Sequence, residues 1–281
     1  MTSNWLRRKP WIITPALSPD RFGGAQTAGA DYALVDFEDS VPPVKKQEAR
    51  DSAQEFFQPA EPRECTLGVR MNSPFTQEGI RDLVALSEYA HKPEVILIPK
   101  TESARDIELV ASVLDNDDYS PQLFALIETP RAIADIASIA RAERLHGVIF
   151  GAADYAAIVG CGMDWDSLLY ARSAMVNAAH LAQIMAVDSP YFDMTDLDGL
   201  RREAERAKNL GYWTKGAVHP RQVPVISEVF EPTEKEVADA RAILAASQES
   251  GNGITSVMGR MVGTPFFNAA RTLIERVDRV G

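Results

Sequence analysis

The stretch ALVDFEDSVPP, Ala33 to Pro43, begins as a buried β-strand and then breaks the rule such strands follow. Ala33, Leu34, Val35 and Phe37 are apolar on successive faces, as in a strand covered on both sides. Asp36, Glu38 and Asp39 then crowd in before a double proline, which ends the strand. If this were one accident of sequence, no other strand would end the same way.

The pattern recurs. Short apolar runs stand at WIITPA (11–16), YALVDF (32–37), CTLGVRM (65–71), VILIPK (95–100), LFALIE (123–128), GVIFGA (147–152), IMAVD (184–188) and KGAVHP (215–220). Between them lie VKKQEARDSAQEFF, TQEGIRDLVALSEYA, ARDIELVASVLDN, PRAIADIASIARAERL, SLLYARSAMVNAAHLAQ and DLDGLRREAERAKNLG. Each places apolar residues three and four apart with charges on the other face, the mark of an amphipathic helix. SPDRFGGAQTAGA is a weaker helix because of its glycines. Strands buried on both faces and followed by such helices predict a parallel sheet under a helical layer. Eight units of this kind suit a (β/α)8 TIM barrel, which takes roughly 250 residues. An open doubly wound sheet is the competing layout, but no GxGxxG follows the first strand. The predicted barrel covers residues 1–232. Residues 233–281 are read as a C-terminal helical extension: one helix, the Gly-rich GNGITSVMGRMVG, and a last helix, FFNAARTLIERV. The Gly-rich part reads equally as a lid or neighbour-reaching arm and as a plain surface extension.

The chain has 281 residues, 46% of them hydrophobic and 25% charged, enough for a large core. Its net charge of −11 argues against a broad nucleic-acid surface. No apolar run approaches the roughly 20 residues of a membrane span. MTSNWLRRKPW has no secretory apolar region, so a cytoplasmic protein is expected. Cys65 and Cys161 lack metal or redox spacing and read as ordinary thiols. Arg7, Arg8 and Lys9, and likewise Lys45 and Lys46, could sit near the mouth or solvate the surface, and solvation is the preferred reading of both clusters.

In a barrel, strand C-termini face the active site. The predicted strands end in Asp36, Glu38 and Asp39; Arg70 and Asn72; Lys100; Glu128; Asp154; Asp188; and His219. A single acid there is usually a helix cap, but polar groups on so many strands imply a basin. His219 is the one histidine at this rim; His91, His146 and His180 read as structural. No Ser–His–Asp set can be assembled. Lys100, among so many acids, suits a salt bridge better than a Schiff base. Glu128 and Asp154 on adjacent strands suit a hard cation, Mg2+ or Mn2+, with sites left for water and substrate. Arg70, two strands away, suits a substrate carboxylate or an enolate oxygen.

In their order and spacing, DYALVDFEDSV with KKQEAR, GVRMNS, VILIPKTES, ALIETPRAI, VIFGAADYA, YARSAMVNAA and GAVHPRQV with VFEPTEKEVADARAIL resemble the citrate lyase β-subunit-like group of the HpcH/HpaI aldolase superfamily. The resemblance runs over nearly the whole chain. It implies a TIM barrel assembled as a homotrimer or homohexamer. It also implies Mg2+-dependent cleavage or formation of a 3-hydroxyacyl thioester, such as a malyl-, citramalyl- or citryl-type substrate, with an acyl-CoA and a 2-oxo acid as the two parts. By position, Glu128 and Asp154 are the implied metal ligands, with Glu128 also at the substrate. Arg70 is the implied substrate-binding and enolate-stabilising arginine, and Glu38 and Asp39 the groups that organise water at the catalytic end. Asp39 stands where pyruvate aldolases of the superfamily carry a histidine base, and Leu126 where they carry glutamine. Both departures favour the citrate-lyase-like branch. One departure opposes it: in GRMVGTP, Gly263 replaces the aspartate that thioester-cleaving members carry in GxMxDxP. Two alternatives therefore stand beside the CoA-thioester lyase. One is an aldolase or lyase acting on a free hydroxy-oxo acid; the other is a barrel that binds metal and carboxylate without turnover.

Overall fold

A computed structural model describes residues 9–59 and 65–280, with the side chains of 279 and 280 excepted. Arg7 and Arg8 lie outside the described residues. Eight parallel strands close a barrel in sequence order. They are β1 (Trp11–Pro15), β2 (Tyr32–Asp36), β3 (Thr66–Arg70), β4 (Val95–Ile98), β5 (Gln122–Ile127), β6 (Leu145–Phe150), β7 (Met185–Asp188) and β8 (Thr214–Ala217). Each lies within the run its apolar pattern marks or overlaps it closely.

The helices of this unit are α1 (Phe22–Gln26), α2 (Lys46–Phe56), α3 (Gln77–Glu88), α4 (Ala104–Leu114), α5 (Pro130–Ala134), α6 (Ile136–Ile139), α7 (Ala152–Val159), α8 (Trp165–Ala182), α9 (Leu197–Leu210) and α10 (Gln222–Phe230). Gly23 and Gly24 keep α1 to five residues. The single helix expected over 130–145 is instead two. Thr129 caps α5 by accepting from Ala132 N, and the chain leaves helical geometry at Asp135. Two helices were not expected. In α7 the sequence reads as strand end and loop, and in α10 Pro224 falls in the first turn, where proline is tolerated.

Strand side chains alternate between two layers. Trp11, Leu34, Leu97, Phe124, Leu126, Ile149 and Val187 face the barrel interior. Their sequence neighbours Ile12, Ala33, Val35, Ile96, Ala125, Val148 and Ala186 pack outward under the helices. Deep inside, Trp11 stacks on Tyr32 at 4.2 Å and meets Phe124 edge-on at 4.6 Å. Double coverage explains why these strands show no polar alternation.

The hydrogen-bonded ladder is uneven. β2 pairs five residues with β1 and five with β3, whereas β8 pairs two with β7 and two with β1.

Residues Lys9–Phe230 form one compact unit, and the tail from Glu231 belongs to a second. Within the tail, α11 (Glu234–Glu249) packs against α12 (Thr264–Val280). Thr233 opens α11 with a capping box shared with Glu236. The Gly-rich stretch is a hairpin, β9 (Thr255–Val257) with β10 (Arg260–Val262). Met258 and Gly259 both take positive φ, as the tight turn joining twisted strands requires. Among the described residues no helix is long and apolar enough to cross a membrane.

Candidate active site at the carboxyl ends of the strands

A cavity of about 490 Å3 opens at the carboxyl ends of the strands, and Asp36, Asp39, Arg70, Glu128 and Asp154 line it. Arg70 ends β3, paired in register with Asp36 of β2. That register places the two side chains together, and they form a two-pronged bond: Nε donates to Oδ1 at 2.7 Å and Nη2 to Oδ2 at 2.8 Å. Asp36 also accepts from the backbone N–H groups of Glu38 and Ser40. Burial pushes the Asp36 carboxyl up, but the bonds and charge of Arg70 outweigh it and hold the group below its ordinary value. The third guanidinium nitrogen, Nη1, lies 3.1 Å from Glu38 Oε2 and 3.5 Å from Asp39 Oδ2.

Lys100 ties this cluster to the next strand. Its Nζ donates to Glu38 Oε1 at 2.6 Å, and its backbone N–H donates to Glu128 Oε1 at 2.7 Å. This is the salt bridge expected of Lys100. Burial is the largest single influence and lowers the Lys100 ammonium, but the bond to Glu38 and the charges of Glu38, Glu128 and Asp39 together outweigh it and raise the group. Lys100 takes φ 52°, a strained backbone for a residue with a side chain, and this turns its N–H toward Glu128. Glu38 is left net raised, with burial opposed by Arg70 and Lys100.

Glu128 follows β5, and Asp154 lies in the first turn of α7, just after β6. Burial, reinforced by the charges of Glu38 and Asp154 and opposed by the Lys100 N–H, pushes the Glu128 carboxyl up to about 8. Such a group is short of positive charge, and a divalent cation supplies it. Oxygen donors suit Mg2+, which commonly takes one or two carboxylates and keeps several waters. Among the described residues, no three His, Cys, Asp or Glu side chains converge as a metal cage. Glu128 and Asp154 therefore fit an ion whose remaining positions go to water and substrate.

Gly151, between the two acids, makes room for this arrangement. A Cβ there would lie 2.4 Å from Glu128 Cβ and 2.7 Å from Oε2. Gly151→Ala is expected to displace the Glu128 carboxylate and weaken Mg2+ binding by roughly 10- to 100-fold, as loss of a ligand's support does. Calorimetric titration of the metal checks this; unchanged affinity would place the ion elsewhere.

Not every strand-end group expected at the rim is there. Asp188 is fully buried and faces outward, because Met185 and Val187 face in. It accepts from Arg172 Nε at 2.8 Å and Lys215 Nζ at 2.7 Å, and Lys215 also donates to Glu203. Asn72 bonds through its backbone and side-chain nitrogens to Asp82 of α3, both at 2.7 Å. His219 is a turn residue whose Nδ1 accepts from Arg221 N, and it does not line the cavity. Lys46, read as a solvating cation, donates from Nζ to the carbonyls of Phe37 and Glu38 and pins the acidic turn. The clamping role of Asp36 was also missed. The signal for it was the parallel register that sets one strand-end acid beside a strand-end arginine.

Comparison with known proteins agrees with this geometry. The profile of the HpcH/HpaI aldolase/citrate lyase family matches residues 12–220. A citrate lyase subunit beta-like protein of Mycobacterium tuberculosis is 32% identical, over 95% of this chain and 94% of its own. An L-malyl-CoA/beta-methylmalyl-CoA lyase of Cereibacter sphaeroides is 32% identical, over 96% of this chain and 94% of its own. The solved structure of CitE from Mycobacterium tuberculosis, in complex with magnesium, acetoacetate and coenzyme A, superposes with a TM-score of 0.83 at 31% identity, covering 96% of this chain and 98% of that one. A closed barrel, an arginine beside clustered carboxylates and these relatives agree: the chain belongs to the HpcH/HpaI aldolase/citrate lyase family.

Proposed function

We propose that this protein is a Mg2+-dependent carbon–carbon lyase that cleaves or forms a 3-hydroxyacyl thioester, exchanging it with an acyl-CoA and a 2-oxo acid. The observation that carries this reading is Arg70, held rigidly by Asp36 in the same cavity as Glu128 and Asp154. Relatives named as malyl-CoA lyase and citrate lyase β, and a neighbour solved with magnesium, acetoacetate and coenzyme A, support the substrate class and the metal.

Glu128 and Asp154 hold Mg2+, and Glu128 abuts the substrate. A Mg2+ ion held there would supply Lewis-acid stabilisation of charge on the substrate oxygens. When the C–C bond breaks, the 2-oxo acid departs and the electron pair stays on the thioester as an enolate. Arg70 stabilises that oxygen without reorganising, because Asp36 has already fixed its plane. Glu38 and Asp39 organise the water that takes the hydroxyl proton. The enolate then accepts a proton at carbon from that same water, which gives up the proton it took from the hydroxyl.

Gly263 carries no proton for that last step. Nothing in its surroundings demands glycine: its φ is not positive, and a Cβ would touch only Ile254 Cγ1 at 3.5 Å. This favours a second reading, a lyase or aldolase acting on a free hydroxy-oxo acid. The deciding experiment is product analysis of purified protein with Mg2+. Malyl-CoA and citramalyl-CoA are paired with free hydroxy-oxo acids, with Glu128→Ala as control. Thioester cleavage supports the first reading, cleavage of free acids alone supports the second, and silence on all of them sinks both.

The protein acts in the cytoplasm as a homotrimer or homohexamer, with residues 233–281 as a lid over a neighbouring copy's site and residues 1–232 as the catalytic barrel. Because Glu128 holds its proton up to about pH 8, Mg2+ must displace that proton at lower pH. Apparent Mg2+ affinity is expected to fall about tenfold per pH unit below 8, with release of about one proton per ion. Calorimetry in buffers of different ionisation enthalpy measures the proton; no release would refute the link.

A further inference from the structure

The catalytic cavity does not stop at its charged rim. It continues into the barrel, where Ile13, Leu34, Leu97, Leu126 and Ile149 line it and Trp11 forms its floor. Trp11 begins β1 and Pro15 ends it, and both line the cavity. Four strand steps at about 3.3 Å each, tilted by about 36°, set these levels about 11 Å apart along the barrel axis. Between rim and floor the wall is mainly hydrocarbon; among the described lining residues no charged side chain lies below Asp36, Arg70 and Glu128, and the indole N–H of Trp11 at the floor has no hydrogen-bond partner. Leu126 in that wall is buried.

Resting on the function proposed above, we propose that this shaft binds a plain alkyl substituent of the 2-oxo acid, short enough to end above Trp11. The reacting carbon of the thioester carries four groups. On that function its hydroxyl and carboxylate lie at the charged rim, where Glu128 and Asp154 would hold Mg2+. The arm ending in CoA leaves through the open rim, because CoA is far too large for a cavity of about 490 Å3. The fourth group therefore points down the shaft. Hydrogen, as in a glyoxylate-derived substrate, leaves the shaft unfilled. A carboxymethyl group, as in an oxaloacetate-derived one, would bury a charge among leucines and isoleucines. A plain alkyl chain fills it, and the substrate class is the set of 2-oxo acids with a short unbranched aliphatic side chain.

The test is a chain-length series on the full-length protein with Mg2+, measured as binding by calorimetry and, with acetyl-CoA, as condensation product. The series runs glyoxylate, pyruvate, 2-oxobutyrate, 2-oxopentanoate, with oxaloacetate alongside. Affinity is expected to tighten roughly fourfold per methylene up to 2-oxobutyrate or 2-oxopentanoate. Leu126→Phe, which fills the shaft, is expected to reverse the order. Leu97→Ala, which widens it, is expected to move the optimum to a longer acid, so the series holds even if one variant fails to fold. Binding of short acids with flat or falling affinity along the series overturns the shaft but leaves the lyase reading standing. So does oxaloacetate as the tightest ligand. Failure of every 2-oxo acid to bind, with or without Mg2+, overturns both.

Discussion

Glu128→Ala is expected to abolish Mg2+-dependent turnover, with kcat/KM lower by on the order of 10^3-fold or more, while the barrel stays folded. The carboxylate removed is buried, repelled by Glu38 and Asp154, and needed mainly once a dication arrives. The same variant carries a stability signature of opposite sense. In metal-free protein the folded state keeps the Glu128 proton up to about pH 8, whereas an ordinary glutamate releases it near 4.5. The folded state thus binds more protons across that window. Stability falls as pH rises from 4.5 towards 8. Alanine removes this slope. Melting curves in chelator between pH 5 and 8.5 should show the wild type losing stability relative to the variant, with the gap closing when Mg2+ is added to the wild type. Parallel curves, or retained turnover, would take Glu128 out of the metal site.

Asp188→Ala is expected to destabilise the protein by about 3–5 kcal/mol. The two cations that contact Asp188 are buried with it: Arg172 is 1% exposed and Lys215 fully buried. Two positive charges would then share Glu203 alone, which lies 2.6 Å from Lys215 Nζ and 3.6 Å from Arg172 Nη2. Coulombic attraction from Lys215 and Arg172 overcomes the burial that would raise the Asp188 carboxyl. Denaturant unfolding measures the loss. A decrease under about 1 kcal/mol would mean that water or Glu203 replaces the carboxylate. Turnover per folded molecule separates this structural role from the rim position the sequence suggested.

That misplacement shows where sequence reading reaches and where it stops. All eight strands were legible, because burial on both faces writes each as an apolar run bounded by turn residues. The acids that gather at one end were legible too, since strand ends in a barrel share a pole. Which acids point into the barrel was harder to read, because it depends on side-chain parity. Counting by twos from Val187 places Asp188 outside, but that count needs a residue known to face inward. Asn72 fails differently: the chain has left the strand by then, and Asp82 on a helix ten residues later captures it. The Asp36–Arg70 clamp depends on register between strands, which apolar periodicity does not encode. Helices with even amphipathic spacing were found, whereas α7 and α10 were not. α7 is apolar over most of its length, and α10 contains a proline.

The thin pairing of β8 makes this strand the seam of an otherwise continuous cylinder. Its four residue pairs, against ten for β2, leave little cross-strand bonding to resist local opening. Lys215, sitting on β8 and bonded to Asp188 on β7 and Glu203 on α9, acts there as a rivet. Native-state hydrogen exchange should therefore divide the barrel unequally. Amides of Thr214–Ala217 are expected to exchange through a smaller opening than those of Tyr32–Asp36, which should exchange only when the whole unit unfolds. A barrel closed in space can thus still have a first and a last strand in time.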